Sequence, residues 1–402
     1  MAKKRLMLLG GIRYLLPVIE AAHRYGCWVI TVDYIPDNIA HKYSDEYHDV
    51  SILDKEAVLE LAQRLEIDGI LSFAVDPGVV TAAYVADKMG LPFACSYESA
   101  CVLQDKTRFR KFLSDNHFNT PNAKGFESVE EAVSSIDCLH WPVIVKPVDS
   151  AGSKGVTKVD YPSELTSASK IALEASHSHC FIIEDFLEKE GHSSGAECFF
   201  VNGKLQYSGF YDQYFDNAAA NPFTPSAECW PSNKSECVLS EVRSELQRLG
   251  NLLHFNTGIF NVEWRVCTNG KVYLMEVSPR AGGNRLAEIL NLAADVDLID
   301  AEVRKAIGEE LPSIHEPNYR GCYSIQVLHS SKDGLFEGVE IDSAFEKDFV
   351  VEKEIRVEKG DRINGFTGAN SAIGTLFLKS DTLREMEETL NRIDDFVKVV
   401  VN

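Results

Sequence analysis

The chain has 402 residues, more than one ordinary core holds, and points to two or three domains. At 45% hydrophobic and 25% charged residues it has a globular composition, and a net charge of −21 without clustered Lys or Arg argues against a nucleic-acid binder. The apolar run Leu6 to Leu9 is too brief for a signal-peptide core, and no stretch approaches the roughly 18 apolar residues of a membrane span, so a cytoplasmic protein is expected.

Arg5 to Gly11 reads as a buried strand, followed by a helix with apolar positions through Ala22. C-W-V-I-T-V-D at 27–33 is a second strand, 54–65 a helix, 68–73 a third strand and 77–89 a helix. Strands alternating with helices imply a parallel sheet covered on both faces, which makes residues 1–95 one α/β unit. Gly10-Gly11 with Asp33 downstream invites a dinucleotide-binding reading, and hence an NAD-dependent dehydrogenase. However, Ile12, Arg13 and Tyr14 stand where the fingerprint needs further glycines. Packing of the first turn, or contact with a small substrate near Gly10, Gly11 and Asp76-Pro77-Gly78, are the competing readings.

A helix is expected over 97–116, with Lys106, Arg108, Arg110 and Lys111 as a solvated basic face. The strand W-P-V-I-V-K-P at 141–147 carries Lys146, and V-D-S-A-G-S-K-G-V follows it. After Gly155 the residues alternate and stop at Pro162, so this glycine loop joins two strands and does not open a helix. Such a loop can offer backbone N–H groups to phosphates, while Lys146 neutralises charge from beneath with Lys154 as a helper. A helix at 163–175, a strand at 181–184 running into Asp185-Phe186-Leu187, and a hairpin turning at Asn202-Gly203 come next. Residues 211–230 mix aromatics with small polar residues and read as a loop, a substrate-facing flap.

The stretch Gly258 to Asn284 organises the rest. Two β-branched and aromatic runs flank Asn269-Gly270, which favours a two-residue type I′ turn. With that turn Thr268 pairs with Lys271, Asn261 faces Ser278, and Glu263 faces Glu276. Facing carboxylates sit roughly 5 Å apart at Cβ and repel, a cost that a divalent cation between them removes. Alternatively one carboxylate points to solvent or pairs with Arg265 or Arg280. Arg280 and the glycine-rich turn that follows can meet an anion, and magnesium with its few carboxylate ligands suits a polyphosphate there. Helices at about 284–308 and an α+β segment from about 320, with a final helix at 381–394, complete the chain. The ten cysteines, without C-x-x-C pairs, read as buried reduced thiols.

Taken in order, Asp105-Lys106, V-I-V-K-P with S-A-G-S-K-G, Glu184 with a later Gly195-x-Glu197, and Glu263 with E-V-S-P-R at 276–280 resemble the ATP-grasp superfamily. The resemblance implies an N-terminal parallel-sheet (pre-ATP-grasp) domain over 1–95, an ATP-grasp domain over 96–308 with a flexible lid at about 147–210, and a C-terminal α+β domain over 309–402. It also implies that Lys106 and Lys146 contact phosphates, and that the loop from Ser150 through Gly152 and Ser153 to Gly155 closes over the triphosphate. Glu184 and the backbone of Phe186 and Leu187 would read adenine, and Glu197, or Glu190 in its place, would hold the ribose. Glu263 and Glu276 would hold Mg²⁺, as one ion or two with Mn²⁺ able to substitute, and Arg280 would stabilise the transferring phosphoryl. Ser278 stands where the superfamily usually has an Asn ligand.

Lys146, Glu276 and Arg280 are then the catalytic candidates. The chemistry implied is phosphorylation of a small, amino-acid-like carboxylate by ATP and attack by an amine, with no membrane or nucleic-acid partner and a homodimer as the assembly. Carboxyphosphate chemistry of the carbamoyl-phosphate-synthase or biotin-carboxylase kind, a phosphoribosylglycinamide-synthetase-like ligase, and a non-catalytic ATP-binding module suggested by Ser278 are the alternatives.

Overall fold

The computed structural model describes residues 3–135, 139–150 and 153–402. Strands Glu46–Asp49, Trp28–Asp33, Arg5–Leu9 and Gly69–Leu71 form, in that spatial order, a parallel sheet. Helices Leu16–Arg24, Lys55–Arg64 and Asp76–Met89 connect and cover it, as the alternating pattern requires. The polar edge strand Glu46–Asp49 gives no apolar signal and escapes a reading based on periodicity. Gly10 bends the chain at φ +106°, and a Cβ on Gly11 would come within 2.4 Å of the His41 ring. Asp33 accepts from Tyr34 N and Asn38 Nδ2, both at 2.8 Å. The first turn is therefore closed by its own packing, and the residues behind the dinucleotide reading serve that packing.

A small antiparallel sheet follows, ordered Ala123–Phe126, Phe181–Asp185, Val143–Pro147, Thr157–Val159, with helices Val129–Ser134 and Leu165–Ala175 against it. The glycine loop does join two strands of this sheet. Ala151 and Gly152 lie outside the described residues, as does Cys138, and the nine described cysteines are free thiols.

An eight-stranded antiparallel sheet runs Val272–Ser278, Gly258–Val266, Ser193–Val201, Lys204–Phe215, Pro225–Trp230, Cys322–Leu328, Gly374–Ser380, Val350–Ile355. It carries the candidate site at one edge and continues into the C-terminal segment at the other. Helices Glu236–Leu252, Leu286–Ala294 and Leu298–Ala306 cover it, and Trp264, Phe199, Phe200 and Phe260 are buried within it. The supposed flap at 211–230 is mostly strand, and only 216–224 connects. Its polar residues suggested a loop because their partners are distant in sequence. Asp212 is buried and accepts from Ser194 Oγ, Ser232 Oγ and Asn233 N at 2.7, 3.0 and 2.7 Å.

The central hairpin reaches the expected facing pairs by a different route. Gly270 N bonds Cys267 O at 2.8 Å and Cys267 N bonds Lys271 O at 3.0 Å, leaving Thr268, Asn269 and Gly270 as a three-residue loop with Gly270 at φ +75°. Near the turn the ladder therefore runs Val266 opposite Val272 and Trp264 opposite Leu274, one residue off the two-residue prediction. A bulge at Met275 restores the register, so Glu263 faces Glu276 and Asn261 faces Ser278. Among the described residues no helix is long and apolar enough to cross a membrane.

Candidate active site

The expected helix over 97–116 is broken into Tyr97–Gln104 and Lys106–Asp115 by Asp105, whose side chain caps Arg108 N at 2.9 Å. The break aims Lys106 inward. Its Nζ lies 3.0 Å from Ser150 O and 3.6 Å from Glu276. Lys106, Gln104, Asp76, Asp149, Ser150 and Glu276 line one cleft.

Beside it the small sheet presents Lys146 and Glu184. Lys146 Nζ is 2.9 Å from Glu184 Oε1, and the same oxygen takes Arg110 Nε at 3.0 Å. Burial alone would raise the Glu184 carboxyl, but Arg110 and Lys146 hold it down at about 2. Burial, with repulsion from Arg110 and Lys106, lowers Lys146 to about 8 against the pull of Glu184. Arg110 was expected on a solvated face and is instead buried. Its signal was its place four residues after Lys106, one helical turn along the same face.

Glu263 and Glu276 face each other at the sheet edge. Among the described residues no basic side chain lies within 4.0 Å of Glu263, and Arg265 and Arg280 pair with neither carboxylate. Burial, then Glu276, pushes Glu263 up. Glu276 goes down, because Lys106, Arg280 and Lys146 together outweigh its burial. Two opposed carboxylates short of a cation form a donor set that fits Mg²⁺, which takes few protein carboxylates. Among the described residues no three His, Cys, Asp or Glu side chains converge, so the metal candidate is this pair alone.

Ser278 and Arg280 belong to a neighbouring network. Arg280 grips Asp76 with Nε at 2.7 Å and Nη2 at 2.6 Å, while Nη1 holds Ala281 O at 2.8 Å, which leaves two of its N–H groups free. Ser278 Oγ donates to the same Asp76 at 3.1 Å and accepts from Gln104 at 2.7 Å. The hydroxyl thus anchors the N-terminal unit to the site edge, and nothing directs it at the carboxylate pair.

Glu197 is not placed as a ribose acceptor. It is fully buried, takes Asn261 Nδ2 at 2.6 Å, and takes Gly282 N on both oxygens at 3.1 Å. Burial, only partly offset by these bonds, lifts it to about 7. The glycine-rich turn does meet an acid, but it is the chain's own Glu197. A Cβ on Gly282 would stand 2.7 Å from it, which explains the glycine. Glu190 is exposed, on a segment held along the hairpin end by Glu190 N to Val266 O at 2.9 Å. Phe186 N is engaged by Pro142 O at 3.0 Å, while Leu187 N has no partner among the described residues.

Ser150 Oγ bonds Ala175 O, and Gly155 (φ +70°) would bring a Cβ within 2.6 Å of Ala175. Ser153 Oγ bonds Phe223 O at 2.9 Å and Asn221 Nδ2 bonds Ser153 O at 3.0 Å, so the connection at 216–224 touches the glycine loop.

One residue gave no warning in the sequence. Glu228, on a misread strand, is buried with Oε1 on Asn284 Nδ2 at 3.1 Å and Oε2 without a partner. Burial, opposed by Asn284 and reinforced by Glu263, raises it to about 8.

Facing acids on one sheet, with lysines from a second sheet and a helix beside them, are the arrangement that the resemblance to the ATP-grasp class implies. Residues 139–288 match the ATP-grasp domain family. The chain is 26% identical over 323 residues to a formate-dependent phosphoribosylglycinamide formyltransferase of Synechococcus sp., covering 77% of this chain and 78% of the relative. In fold it is similar to an L-amino acid ligase from Bacillus licheniformis (TM-score 0.82, 19% identity, 100% of both chains). It is also similar to a phosphoribosylglycinamide synthetase from Anaerococcus prevotii (TM-score 0.74, 21% identity, 100% of both chains). Residues 139–288 thus resemble an ATP-grasp domain, and the chain as a whole has the fold of these ligases.

Replacing Asp76 by Ala leaves Arg280 buried and unpaired and is expected to lower stability by about 3 kcal/mol in urea unfolding. A loss below about 1 kcal/mol would show that the pair does not hold the N-terminal unit to the hairpin.

Proposed function

We propose that the protein phosphorylates a small carboxylate with ATP and joins it to an amine, releasing ADP and phosphate. The observation that carries this reading is the opposed pair Glu263 and Glu276 with Lys106 and Lys146 beside it. Lys106, Lys146 and the loop from Ser150 to Gly155 bind the phosphates. Glu184 Oε2 and Leu187 N read adenine, and Glu190 takes the ribose in place of Glu197. Glu263 and Glu276 would hold Mg²⁺, as one ion or two, or Mn²⁺ in substitution. Bound there, the metal would neutralise polyphosphate charge.

A carboxylate oxygen attacks the γ-phosphorus as its bond to ADP breaks, and the two free N–H groups of Arg280 face the transferring phosphoryl, held in place by Asp76. The amine nitrogen then bonds the acyl carbon, phosphate leaves and the nitrogen loses a proton. Little covalent help is needed from the protein, since placement of donors and cations supplies the effect.

The finer substrate reading rests on Glu228. Burial keeps this carboxyl largely protonated at neutral pH, and the ammonium of an amino-acid-like molecule beside its unpartnered Oε2 would restore the charge. A phosphorylated amine is less suited. Arg285 already pairs with Glu288, Glu352 and Glu354, and Arg356 with Glu354. A cytoplasmic homodimer completes the proposal.

With Mg-ATP and pooled amino acids, ADP and phosphate are expected only when an acceptable acid and amine are both present. Glu276→Ala should abolish release, and Glu228→Gln should raise KM for the amino-acid substrate about tenfold, the scale of one charged hydrogen bond. Full activity in Glu276→Ala would remove the metal assignment. Because Lys146 is a cation only below about 8, Mg-ATP affinity should fall as pH rises from roughly 7 to 9, and Lys146→Arg should flatten that fall. A pH-independent wild-type affinity would contradict the phosphate role.

A further inference from the structure

We infer that Arg110 is the positioning residue that sets nucleobase selectivity, acting through Glu184; the inference rests on the nucleotide reading above. Arg110 and Lys146 both bond Glu184 Oε1, at 3.0 and 2.9 Å. Oε2 accepts no hydrogen bond from any described residue, so it is the carboxylate's remaining acceptor. Two cations on one oxygen fix which oxygen is free and keep the group ionised, hence acceptor-only.

The guanidinium fork is only partly used for pairing. Nε bonds Glu184, while Nη1 and Nη2 are buried without an acceptor, which costs about 1 to 3 kcal/mol against that pairing. Arg265, half-buried and with its own unpartnered Nε, adds another positive charge close by. The guanidinium also changes what Glu184 and Lys146 can do. With Lys146 as its only partner, Glu184 could close both oxygens onto the lysine, drawing it from the phosphates and turning the acceptor from the cleft.

A fixed, ionised acceptor favours a base bearing an amino group at the contacted edge. A carbonyl in the same place meets oxygen against oxygen, and a site built for one hydrogen bond rejects an analogue that reverses it far more strongly than apolar contact does. ATP and ITP differ at that edge: the 6-amino group becomes an oxo, and N1 changes from acceptor to N–H donor, a second change that Leu187 N meets equally in every variant.

The test is the ratio of Kd values for Mg-ATP and Mg-ITP with the full chain, for wild type, Arg110→Met, Arg110→Lys and Glu184→Gln. Wild type should prefer ATP by about 30-fold or more. Glu184→Gln and Arg110→Met should each lose most of that preference, to about threefold. Arg110→Lys, which keeps the charge without the fork, should fall between these and wild type and gives the same readout if the methionine variant does not fold. A wild-type ratio retained in the Arg110 variants, with Glu184→Gln still collapsing it, would overturn the inference and leave the adenine role of Glu184 standing. A wild type indifferent to the base would overturn both.

Discussion

Two like charges held face to face across one pair of strands is the constraint on which this structure turns. Glu263 and Glu276 would repel in any sheet, yet the backbone is arranged to keep them opposed. A three-residue loop shifts the ladder by one position, and a bulge at Met275 shifts it back before the glutamates are reached. A bulge re-aims side chains at the cost of a ladder bond. Here it decides whether residue 276 or its neighbour faces residue 263.

The elements around the pair supply positive charge from three directions. The Asp105 cap turns Lys106 onto Glu276, the small sheet brings Lys146, and Arg280 closes the strand end. Two of these cations are themselves restrained by an acid that is not one of the pair: Glu184 for Lys146 and Asp76 for Arg280. The N-terminal parallel sheet thereby gains a stake in the site, because Asp76 opens its last helix. Such second-layer restraints fix geometry to the tolerance that phosphoryl transfer requires.

The sequence made legible whatever depended on local pattern. Alternation gave the hairpins, Asn269-Gly270 located the turn, and the glycine loop was rightly placed between strands. What stayed hidden depended on distant partners. Asp212 and Gln213 made a central strand resemble a loop, because nothing nearby says that Ser194, Ser232 and Asn233 would satisfy Asp212. Arg110 resembled a surface charge because Glu184, its partner, lies 74 residues away. The resemblance implied a ribose role for Glu197, and only the fold shows it bonded to Gly282. Two offsets of one residue also cancelled at Glu263 and Glu276, so the facing pair was right although the turn type was not.

Acyl phosphate formation is the central claim, and it is most directly tested by oxygen transfer. A carboxylic acid that supports turnover would be labelled in both carboxyl oxygens with heavy oxygen and converted to product with unlabelled ATP, and the released phosphate analysed by mass. The account predicts one heavy oxygen in each phosphate, because the carboxylate oxygen that attacks phosphorus leaves with it. Phosphate released without label during productive ligation would contradict it.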